Sequence, residues 1–577
     1  MITEGSGQSR RFGRLREIAG DFSTGEKGKA GIFVLLVFCV LYLPFIDKAF
    51  HIDDADFIRF SELIGWNPLD STPTDYADRG KLLRDSLPQY EMTHPLLISY
   101  VIKIASALFG QNEVALHLSF LLFPLLSLIS IFMLNRVLFP DSKNTGILSA
   151  FFLCSMPAFL VNSHNIMTDV PTLSFLLASM ACYSLSIEKD STGMAYLGGI
   201  FLCAATFASY QALFFVPVIF CYVLIRRRLN AHSVISLGIS VVALLGWFFL
   251  LYRTHGLIPL LKGHGAAEQD SISGLISMGL GYQAIVFKGI SVLAFIGSSM
   301  LFLVPVYFIL NKSGFRFCLL FLLLTALICI PVFTVTGYSF FENVSLALLI
   351  ALGVVTLLIV TKEALLTFDR DKDRRSGLFL ILWIFLVVLY SMLIFPWLAA
   401  RHILPVFPPL IMILVNSLNQ DQTKIRRIVI ACAMSLSLLF GLGSAYSDYK
   451  LAGAYRAFAG DVEKLRSNND VWYIGAWGMR YYMEKAGARY LLAISDEPKA
   501  GDFVIIPDMP RFWIPSPQLQ MRLEPYAQKI ARSPLPLRLY NGTSHAGFYS
   551  NSDGGCLLPF SFSWEPDVVF FVFRVVR

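Results

Sequence analysis

Two adjacent carboxylates, Asp53 and Asp54, follow the first strongly apolar stretch of the chain, in the segment FHIDDADFIRF (50–60). If residues 30–46 cross a membrane, the pair lies about one helical turn beyond the hydrocarbon, where a carboxylate is partly desolvated. Such a group can accept a proton from a hydroxyl or ligate a divalent metal ion. The alternative is that both acids cap the N-terminus of a helix.

Three further places carry polar groups suited to a site at a membrane surface. Asp169, in the sequence TDVP, stands at the start of a later apolar run. Arg401 and His402 are adjacent in PWLAARHILP, and His94 precedes a proline after a long acidic loop. Asp169 and these cationic or imidazole groups predict binding of a polar substrate, while a helix cap is the alternative for Asp169.

The composition requires that membrane helices position these residues. Of 577 residues, 55% are hydrophobic and only 15% are charged, which lies outside the range of soluble globular proteins. Apolar runs long enough to cross a hydrocarbon core roughly 30 Å thick recur as far as residue 446. They predict thirteen spans: 30–46, 114–135, 145–162, 170–187, 194–209, 211–225, 234–252, 286–310, 317–335, 343–361, 377–395, 403–418 and 428–446. The sequence leaves open whether 194–209 and 211–225 are two helices or one.

The distribution of Lys and Arg predicts the orientation. By the positive-inside rule, residues 1–29 and the basic connections lie in the cytoplasm; these connections are 136–143, 226–228, 312–316, 362–376 and 424–427. The first outer loop is then 47–94, and parity allows only one of the apolar segments 95–109 and 114–135 to span. The first is shorter and carries Lys103, so we expect it to be a helix at the outer surface. Arg401 breaks this pattern on the outer side. It therefore predicts an anionic partner, for which a lipid-linked phosphate is the natural choice, although an arginine that only reaches the headgroups is the alternative.

The last part of the chain, residues 447–577, has no run long enough to span a membrane. Its segments VWYIG, GDFVIIP and VVFFVFRVV read as strands, and GMRYYMEKAG reads as a helix. The fold class is therefore mainly α, a polytopic helical membrane protein with a transmembrane domain at 30–446. A small α/β domain outside the cytoplasm follows at 447–577.

Taken together, these motifs resemble the GT-C membrane glycosyltransferases. The resemblance rests on the acidic pair after the first span, HPLL…FG from residue 94, TDVP at 168–171 and RHILPVFPPL from residue 401. The resemblance covers roughly residues 30–446. Within this family, the chain is similar in particular to the protein O-mannosyltransferases and the lipid A aminoarabinose transferases. Thirteen spans agree with the latter group.

The resemblance implies an inverting glycosyltransferase of EC class 2.4, which takes a sugar from a polyprenyl phosphate. The acceptor would be a hydroxyl or phosphate of a lipid, glycan or protein at the outer face of a bacterial inner membrane. Asp53 matches the general base, and Asp54 replaces the usual Glu as helper or metal ligand. His94, Asp169, Arg401 and His402 match substrate-binding positions, with Arg401 stabilising the departing phosphate.

The cofactor expectation is limited. A divalent metal ion at the acidic pair is compatible with the motif, and its presence stays open. Nothing in the sequence reads as a P-loop or a Rossmann fingerprint, which agrees with a donor that is a lipid phosphate and not a nucleotide sugar. The loop between the fifth and sixth spans reads FASYQALFF, without the lysine that many aminoarabinose transferase-like proteins have there. The donor phosphate would then be neutralised elsewhere.

The main alternative is a polytopic transporter or lipid flippase. Transporters tend to place ionisable groups near the midplane of broken helices and often contain internal repeats. In this chain the acids gather toward one face, and no repeat is evident. A lipid-linked polymerase or ligase would carry its arginines in one large late outer loop, and a non-catalytic scaffold would tolerate loss of Asp53.

Overall fold

A computed structural model describes most of the chain and shows a largely helical protein with strands near the C-terminus. The described residues are 26–68, 95–140, 142, 144–255, 282–366, 371–395, 397–418, 423–466, 469–491, 498–509, 516–551 and 555–576. The α-helices are Glu26–Tyr42, Asp54–Leu63, Leu97–Phe109, Glu113–Phe120, Leu122–Leu138, Thr145–Ser155, Pro157–Asn162, Asp169–Lys189, Thr192–Ala208, Phe215–Ile225, Ala231–His255, Tyr282–Ser299, Leu303–Leu310, Gly314–Val335, Phe340–Leu366, Asp371–Ile394, Phe407–Leu418, Lys424–Leu465, Gly478–Lys485 and Pro517–Gln520. Short 3-10 helices lie at Leu43–Phe45, Tyr210–Phe214 and Ala400–Val406.

In the described part of the chain, eight helices are long and apolar enough to cross a membrane. The pair Ala284–Ser299 and Leu303–Leu310, bent by 68°, passes the same test together. All of them coincide with predicted spans. The other four predicted spans coincide with shorter apolar helices: Leu35–Phe45, Thr145–Ser155, Thr192–Ala208 and Tyr210–Ile225. The chain is an integral, multi-pass membrane protein, while the number of crossings and their orientation stay predictions.

The segment from 192 to 225 forms two helices. Thr192–Ala208 begins with Ser191, whose side chain accepts a hydrogen bond from the Met194 backbone, a usual N-cap arrangement. It ends at Ser209, where the backbone becomes extended (φ −153°, ψ 132°). A 3-10 turn then leads into Phe215–Ile225. The break brings Ser209 and Gln211 to the end of both helices.

The apolar helix Leu97–Phe109 packs along the acidic-loop helix Asp54–Leu63. Its Tyr100 hydroxyl donates to the Gly65 carbonyl at 2.8 Å, and the Lys103 ammonium donates to the Ile64 carbonyl at 2.8 Å. Lys103 therefore satisfies the carbonyl end of the neighbouring helix, where a cation is also favoured by the helix dipole. This explains a lysine within an otherwise apolar segment.

The C-terminal strands form one mixed sheet and two small strand pairs. The strands are β1 Val471–Tyr473, β2 Arg489–Tyr490, β3 Phe503–Pro507, β4 Leu523–Ala531, β5 Leu537–Arg538, β6 Tyr540–Asn541, β7 Ala546–Gly547, β8 Ser561–Phe562 and β9 Val568–Val575. The sheet has the order β2-β1-β3-β9-β4, parallel among the first three strands and antiparallel where β9 pairs with β3 and β4. The predicted strands and helix of a small C-terminal α/β region are confirmed.

One helix joins the apolar part to this sheet. Lys424–Leu465 is 42 residues long and continues well past residue 446, where the predicted membrane domain ends. The helix Gly478–Lys485 in turn sits against the first loop, where a Cβ on Gly478 would lie 2.2 Å from the Phe50 carbonyl oxygen. Only glycine permits so close an approach of the two backbones. One buried apolar core runs through both parts of the chain.

Candidate active site

The turn that carries the acidic pair has a strained backbone. Ile52, which is fully buried, has φ +49°, an unfavourable value for a β-branched residue. Strain of this kind persists only where the surrounding structure fixes it, and it is frequent at functional sites. Asp53 follows directly, at the N-terminus of the helix Asp54–Leu63. The predicted helix start is present, but no side-chain capping hydrogen bond is formed by Asp53.

The three acids of this turn point to three different parts of the fold. Asp53 faces Arg401, with its Oδ2 3.2 Å from Nη2 of the arginine. Asp54 faces the loop before Asp169, and Asp56 lies 3.7 Å from Arg480 in the C-terminal region. The turn therefore sits where the first loop, the later loops and the tail meet.

Arg401 contacts two of the predicted site carboxylates. Besides its contact with Asp53, its Nε is 3.9 Å from Asp169 Oδ2. The three side chains are 8%, 18% and 14% exposed for Arg401, Asp53 and Asp169, so the group is shielded but reachable. Three residues separated by more than a hundred positions in the sequence thus form one charged cluster. In such low-dielectric surroundings charge–charge interactions are stronger than in water.

Asp54 occupies a different environment from Asp53. It is fully buried, and its two oxygens accept hydrogen bonds from the backbone amides of His51, at 2.8 Å, and Ile166, at 2.6 Å. Burial raises the pKa of Asp54 from 3.8 to about 7, against the opposing effects of the Lys48 charge and these two hydrogen bonds. The Asp54 carboxylate thus ties the strained turn to residue 166.

This environment predicts a pH-dependent contribution of Asp54 to stability. Its folded-state pKa of about 7 exceeds the ordinary 3.8, so folding favours the protonated form. The contribution is complete below the ordinary pKa and is lost as the pH rises through about 7. The Asp54→Asn variant, which cannot titrate, is expected to lose this part of the pH dependence. Thermal midpoints of both proteins measured from about pH 5 to pH 8 test it, and parallel curves would contradict the assignment.

Arg401 and His402 begin the 3-10 helix Ala400–Val406. The His402 ring stacks on Phe395 with ring centroids 4.1 Å apart, and its Nδ1 accepts a hydrogen bond from the Ala399 backbone at 3.3 Å. The Arg401 guanidinium also lies 5.4 Å from the centre of the Trp397 ring, within the range of cation–π contacts. Arg401 and His402 are thus held in place by contacts with residues 395–399, which directly precede them in the chain.

A cleft opens beside this cluster. Asp169, Arg401 and His402 lie in its wall, together with Ser209, Gln211 and Tyr390. The rest of the lining is mostly apolar: Leu173, Leu176, Phe214, Phe215, Leu386, Val387 and Pro405. The empty space, including the part open to the exterior, is about 550 Å³. A molecule with a polar head and an apolar tail would match this lining.

Sequence reasoning missed a buried polar cluster behind the acidic turn. The Lys48 ammonium contacts both the Asp448 carboxylate and Asn165 Oδ1, and the Tyr549 hydroxyl donates to Asp448 at 2.7 Å. Lys48 and Asp448 are each 1% exposed. A signal was present, because Lys48, like Arg401, is a cation on the predicted outer side. Its partner could not be identified, since it lies 400 positions away.

The buried pair predicts a large stability effect. Lys48→Met would leave the Asp448 carboxylate buried without its cation, which costs on the order of 3–5 kcal/mol. The matched control is Lys529→Met, because Lys529 and Asp461 form a pair at 2.9 Å with side chains that are 60% and 36% exposed. An exposed pair contributes at most about 1 kcal/mol. Thermal midpoints in detergent should therefore fall much further for the first variant, and equal shifts would refute the buried-pair assignment.

One predicted site residue, His94, lies outside the described residues. The rest of the first outer loop from residue 69 and residues 256–281 lie outside them as well. Among the residues that the structure describes, no three His, Cys, Asp or Glu side chains gather as a metal site would require. The assignment of His94 to substrate binding therefore stays a prediction, and the metal requirement of the pair stays open.

Comparison with known proteins gives one sequence match and several structural likenesses. Residues 93–252 match the family model described as dolichyl-phosphate-mannose-protein mannosyltransferase. This range includes Asp169, Ser209 and Gln211, and it excludes Asp53 and Arg401. No curated protein sequence matches the chain.

Three solved structures illustrate the likeness. The archaeal oligosaccharyltransferase AglB from Archaeoglobus fulgidus, in complex with an inhibitory peptide and a dolichol-phosphate, has a TM-score of 0.44 and 12% identity over 79% of this chain and 64% of its own. ArnT from Cupriavidus metallidurans bound to undecaprenyl phosphate has a TM-score of 0.42 and 13% identity, over 95% and 98%. The mycobacterial arabinofuranosyltransferase AftD has a TM-score of 0.37 and 10% identity, over 96% and 40%. The chain thus spans slightly less than two thirds of the archaeal enzyme.

The family match covers the start of the helix Asp169–Lys189 and the loop at 209–211, both of which line the cleft. This part of the chain, less than half of its length, is therefore similar to the family described as dolichyl-phosphate-mannose-protein mannosyltransferase.

Proposed function

We propose that this protein transfers a sugar from a polyprenyl-phosphate donor to an acceptor hydroxyl or phosphate, with inversion at the anomeric carbon. The acceptor belongs to a lipid, a glycan or a protein, and transfer takes place at the outer face of a bacterial inner membrane. The observation that carries the proposal is the 3.2 Å pair of Asp53 and Arg401 beside a cleft with a polar end and apolar walls. A proton acceptor and a cation are the two groups that such a displacement needs.

The cleft supports a lipid-linked donor. Most of its apolar side chains come from the helices Asp169–Lys189, Phe215–Ile225 and Asp371–Ile394, all of which coincide with predicted spans. A prenyl chain lying between them would place its phosphate near Arg401. Since the loop at 209–211 offers only Ser209 and Gln211 as polar side chains in the lining, Arg401 is the described cation that neutralises the phosphate.

The reaction is a single displacement. The acceptor oxygen attacks the anomeric carbon as the bond from that carbon to the phosphate oxygen breaks, and the bonding electrons leave with the polyprenyl phosphate. Asp53 takes the acceptor proton, and Arg401 stabilises the negative charge that develops on the phosphate. In the structure these two groups pair with each other, so the donor phosphate would replace Asp53 as the partner of Arg401 and free it to act as a base.

The other predicted residues take supporting roles. Asp169 lies in the cleft wall and can accept hydrogen bonds from sugar hydroxyls, and His402 forms the wall beside it. Both oxygens of Asp54 are occupied by backbone amides, so we assign it the task of holding the Asp53 turn. His94 is retained as a residue that binds the donor phosphate.

A transporter or flippase fits this arrangement less well. Asp169 is the first residue of its helix, and Arg401 is the second of its 3-10 helix. The charged groups therefore lie at helix ends and not in the middle of a broken helix, which is where transporters tend to place them. Asp53 and Arg401 also pair a base with a cation. Sugar transfer requires both groups, whereas passive transport does not.

The test is a transfer assay with defined donors. Purified protein in lipid nanodiscs is incubated with radiolabelled polyprenyl-phosphate sugars and, separately, with the corresponding nucleotide sugars, each with a membrane extract as the source of acceptor. We expect transfer from at least one lipid-linked donor, none from the nucleotide sugars, and an inverted anomeric configuration in the product. Absence of transfer from every lipid-linked donor, or retention of configuration, would overturn the proposal.

A further inference from the structure

The segment that carries Arg401 is bound to the C-terminal region by backbone hydrogen bonds. The Ala400 amide donates to the Phe548 carbonyl at 3.0 Å, and the Asn551 amide donates to the Leu398 carbonyl at 3.0 Å. Arg401 itself donates from Nη1 to the Tyr549 carbonyl at 3.4 Å. We call residues 548–551 the clamp segment. Two backbone hydrogen bonds and the Arg401 side chain thus join it to residues 398–401.

Asn551 makes the most contacts of this kind. Besides its backbone bond, its Oδ1 accepts a hydrogen bond from the Leu398 amide at 2.8 Å, and its Nδ2 donates to Ser291 Oγ at 2.8 Å. All three bonds reach residues outside the C-terminal region. Leu398, Ala399 and Ala400 are each 0% exposed, so no water can replace a lost partner without disturbing the packing. The Asn551 side chain thus fixes the backbone three residues before Arg401.

The clamp segment also forms hydrogen bonds with residues other than 398–401. The Tyr549 hydroxyl donates to Asp448, which is paired with Lys48 from the first loop, and the Phe548 amide donates to the Leu539 carbonyl at 2.9 Å. The Lys48 end of this chain of contacts lies only a few residues before Asp53. The same set of contacts therefore joins the backbone of the predicted base to the backbone of the predicted cation.

From these contacts we propose that the clamp segment is a positioning element of the active site, with Asn551 as its main positioning residue. It rests on the proposed function, because its purpose is to hold the Arg401 guanidinium at the place where the leaving phosphate develops its charge. A guanidinium that stabilises a transition state must be held in place before the reaction, and small displacements lower the rate strongly. The C-terminal region thus completes the site instead of only covering it.

The structural part of the proposal is tested by amide hydrogen exchange. The control is Asn541→Ala, since Asn541 is another buried asparagine of the C-terminal region, and its side chain bonds only within that region, to Pro566 and Ser544. In Asn551→Ala, exchange in the peptide containing Leu398 and Ala400 should become at least about tenfold faster. It should stay near wild type in Asn541→Ala. Equal exchange in both variants would overturn the proposal, whatever the activity of the protein.

The functional part is tested by kinetics. In Asn551→Ala, kcat for sugar transfer should fall about tenfold with KM for the lipid donor nearly unchanged, while Asn541→Ala keeps kcat within about twofold. Because Asn551 acts through Arg401, adding Asn551→Ala to Arg401→Ala should lower kcat no further. A multiplicative loss in the double variant would show that Asn551 acts elsewhere and would overturn the proposal.

A third variant changes a residue that contacts Asn551 but lies outside the C-terminal region. Misfolding of that region then cannot explain its effect. Ser291→Ala removes the acceptor of the Asn551 amide group and leaves the C-terminal sequence intact. We expect a kcat two- to threefold below wild type, roughly the loss of one neutral hydrogen bond, with faster exchange in the same peptide. If the wild-type protein transferred no sugar from any lipid donor, the proposed function would fail. If transfer were normal in all clamp variants, only the present inference would fail.

Discussion

Replacing Asp53 by asparagine is expected to lower the rate of sugar transfer roughly 10³-fold, the loss typical of a missing general base. The amide has nearly the shape of the carboxylate and can still accept a hydrogen bond from Arg401, which lies 3.2 Å away. It cannot take the proton of the acceptor. The loss should therefore appear in kcat and leave the affinity for the lipid donor nearly unchanged.

The matched control for this variant is Asp56→Asn. Asp56 belongs to the same turn and is similarly exposed, but it faces Arg480 in the C-terminal region and not the cleft. Transfer by Asp56→Asn should stay within a few-fold of wild type. If Asp53→Asn transferred sugar as fast as Asp56→Asn, Asp53 would not be the base, and the role would have to pass to another carboxylate of the site.

The second large effect is expected at Arg401. Removing one donor that stabilises developing negative charge typically raises the barrier by about 3 kcal/mol, so Arg401→Ala should lower kcat at least about 100-fold. The loss also leaves Asp53 and Asp169, at 3.2 and 3.9 Å, without their cation. Arg401→Lys keeps the charge but lacks the planar fork, so an intermediate rate is expected.

Arg456→Gln provides the comparison for Arg401. Arg456 also pairs with an acid, Glu113 at 3.5 Å, but it is 37% exposed and lies outside the cleft lining. Its loss should change the rate little. Single-turnover measurements with a radiolabelled lipid donor separate the chemical step from binding, and an unchanged chemical step in Arg401→Ala would remove the proposed role of the arginine.

Two of the candidate site residues stand out in the sequence because each departs from a strong rule. Arg401 is a cation on the predicted outer side, and Asp53 is a carboxylate beside an apolar span. Membrane proteins follow the charge and hydropathy rules closely, so departures from them are informative. The helices could be predicted because they follow the hydropathy rule. Each span is a long apolar run, and few structures other than a membrane helix suit such a run.

The features that could not be predicted depend on contacts between residues that are far apart in the sequence. The pairing of Lys48 with Asp448 and of Leu398 with Asn551 joins positions 400 and 153 apart, and no local pattern distinguishes Asn551 from Asn541. The different fates of Asp53 and Asp54 were equally hidden. They are neighbours in sequence, yet Asp53 faces Arg401 and Asp54 is bound by the backbone amides of His51 and Ile166.

The unbroken helix Lys424–Leu465 has a mechanical consequence. At 1.5 Å per residue its 42 residues form a rod about 63 Å long, roughly twice the thickness of the hydrocarbon core. A thicker or thinner bilayer changes the tilt of such a helix. The far end of the helix, and the sheet attached to it, then move by a distance that grows with the length of the helix. We therefore expect the thickness of the membrane, and with it the lipid composition, to influence the position of the C-terminal sheet.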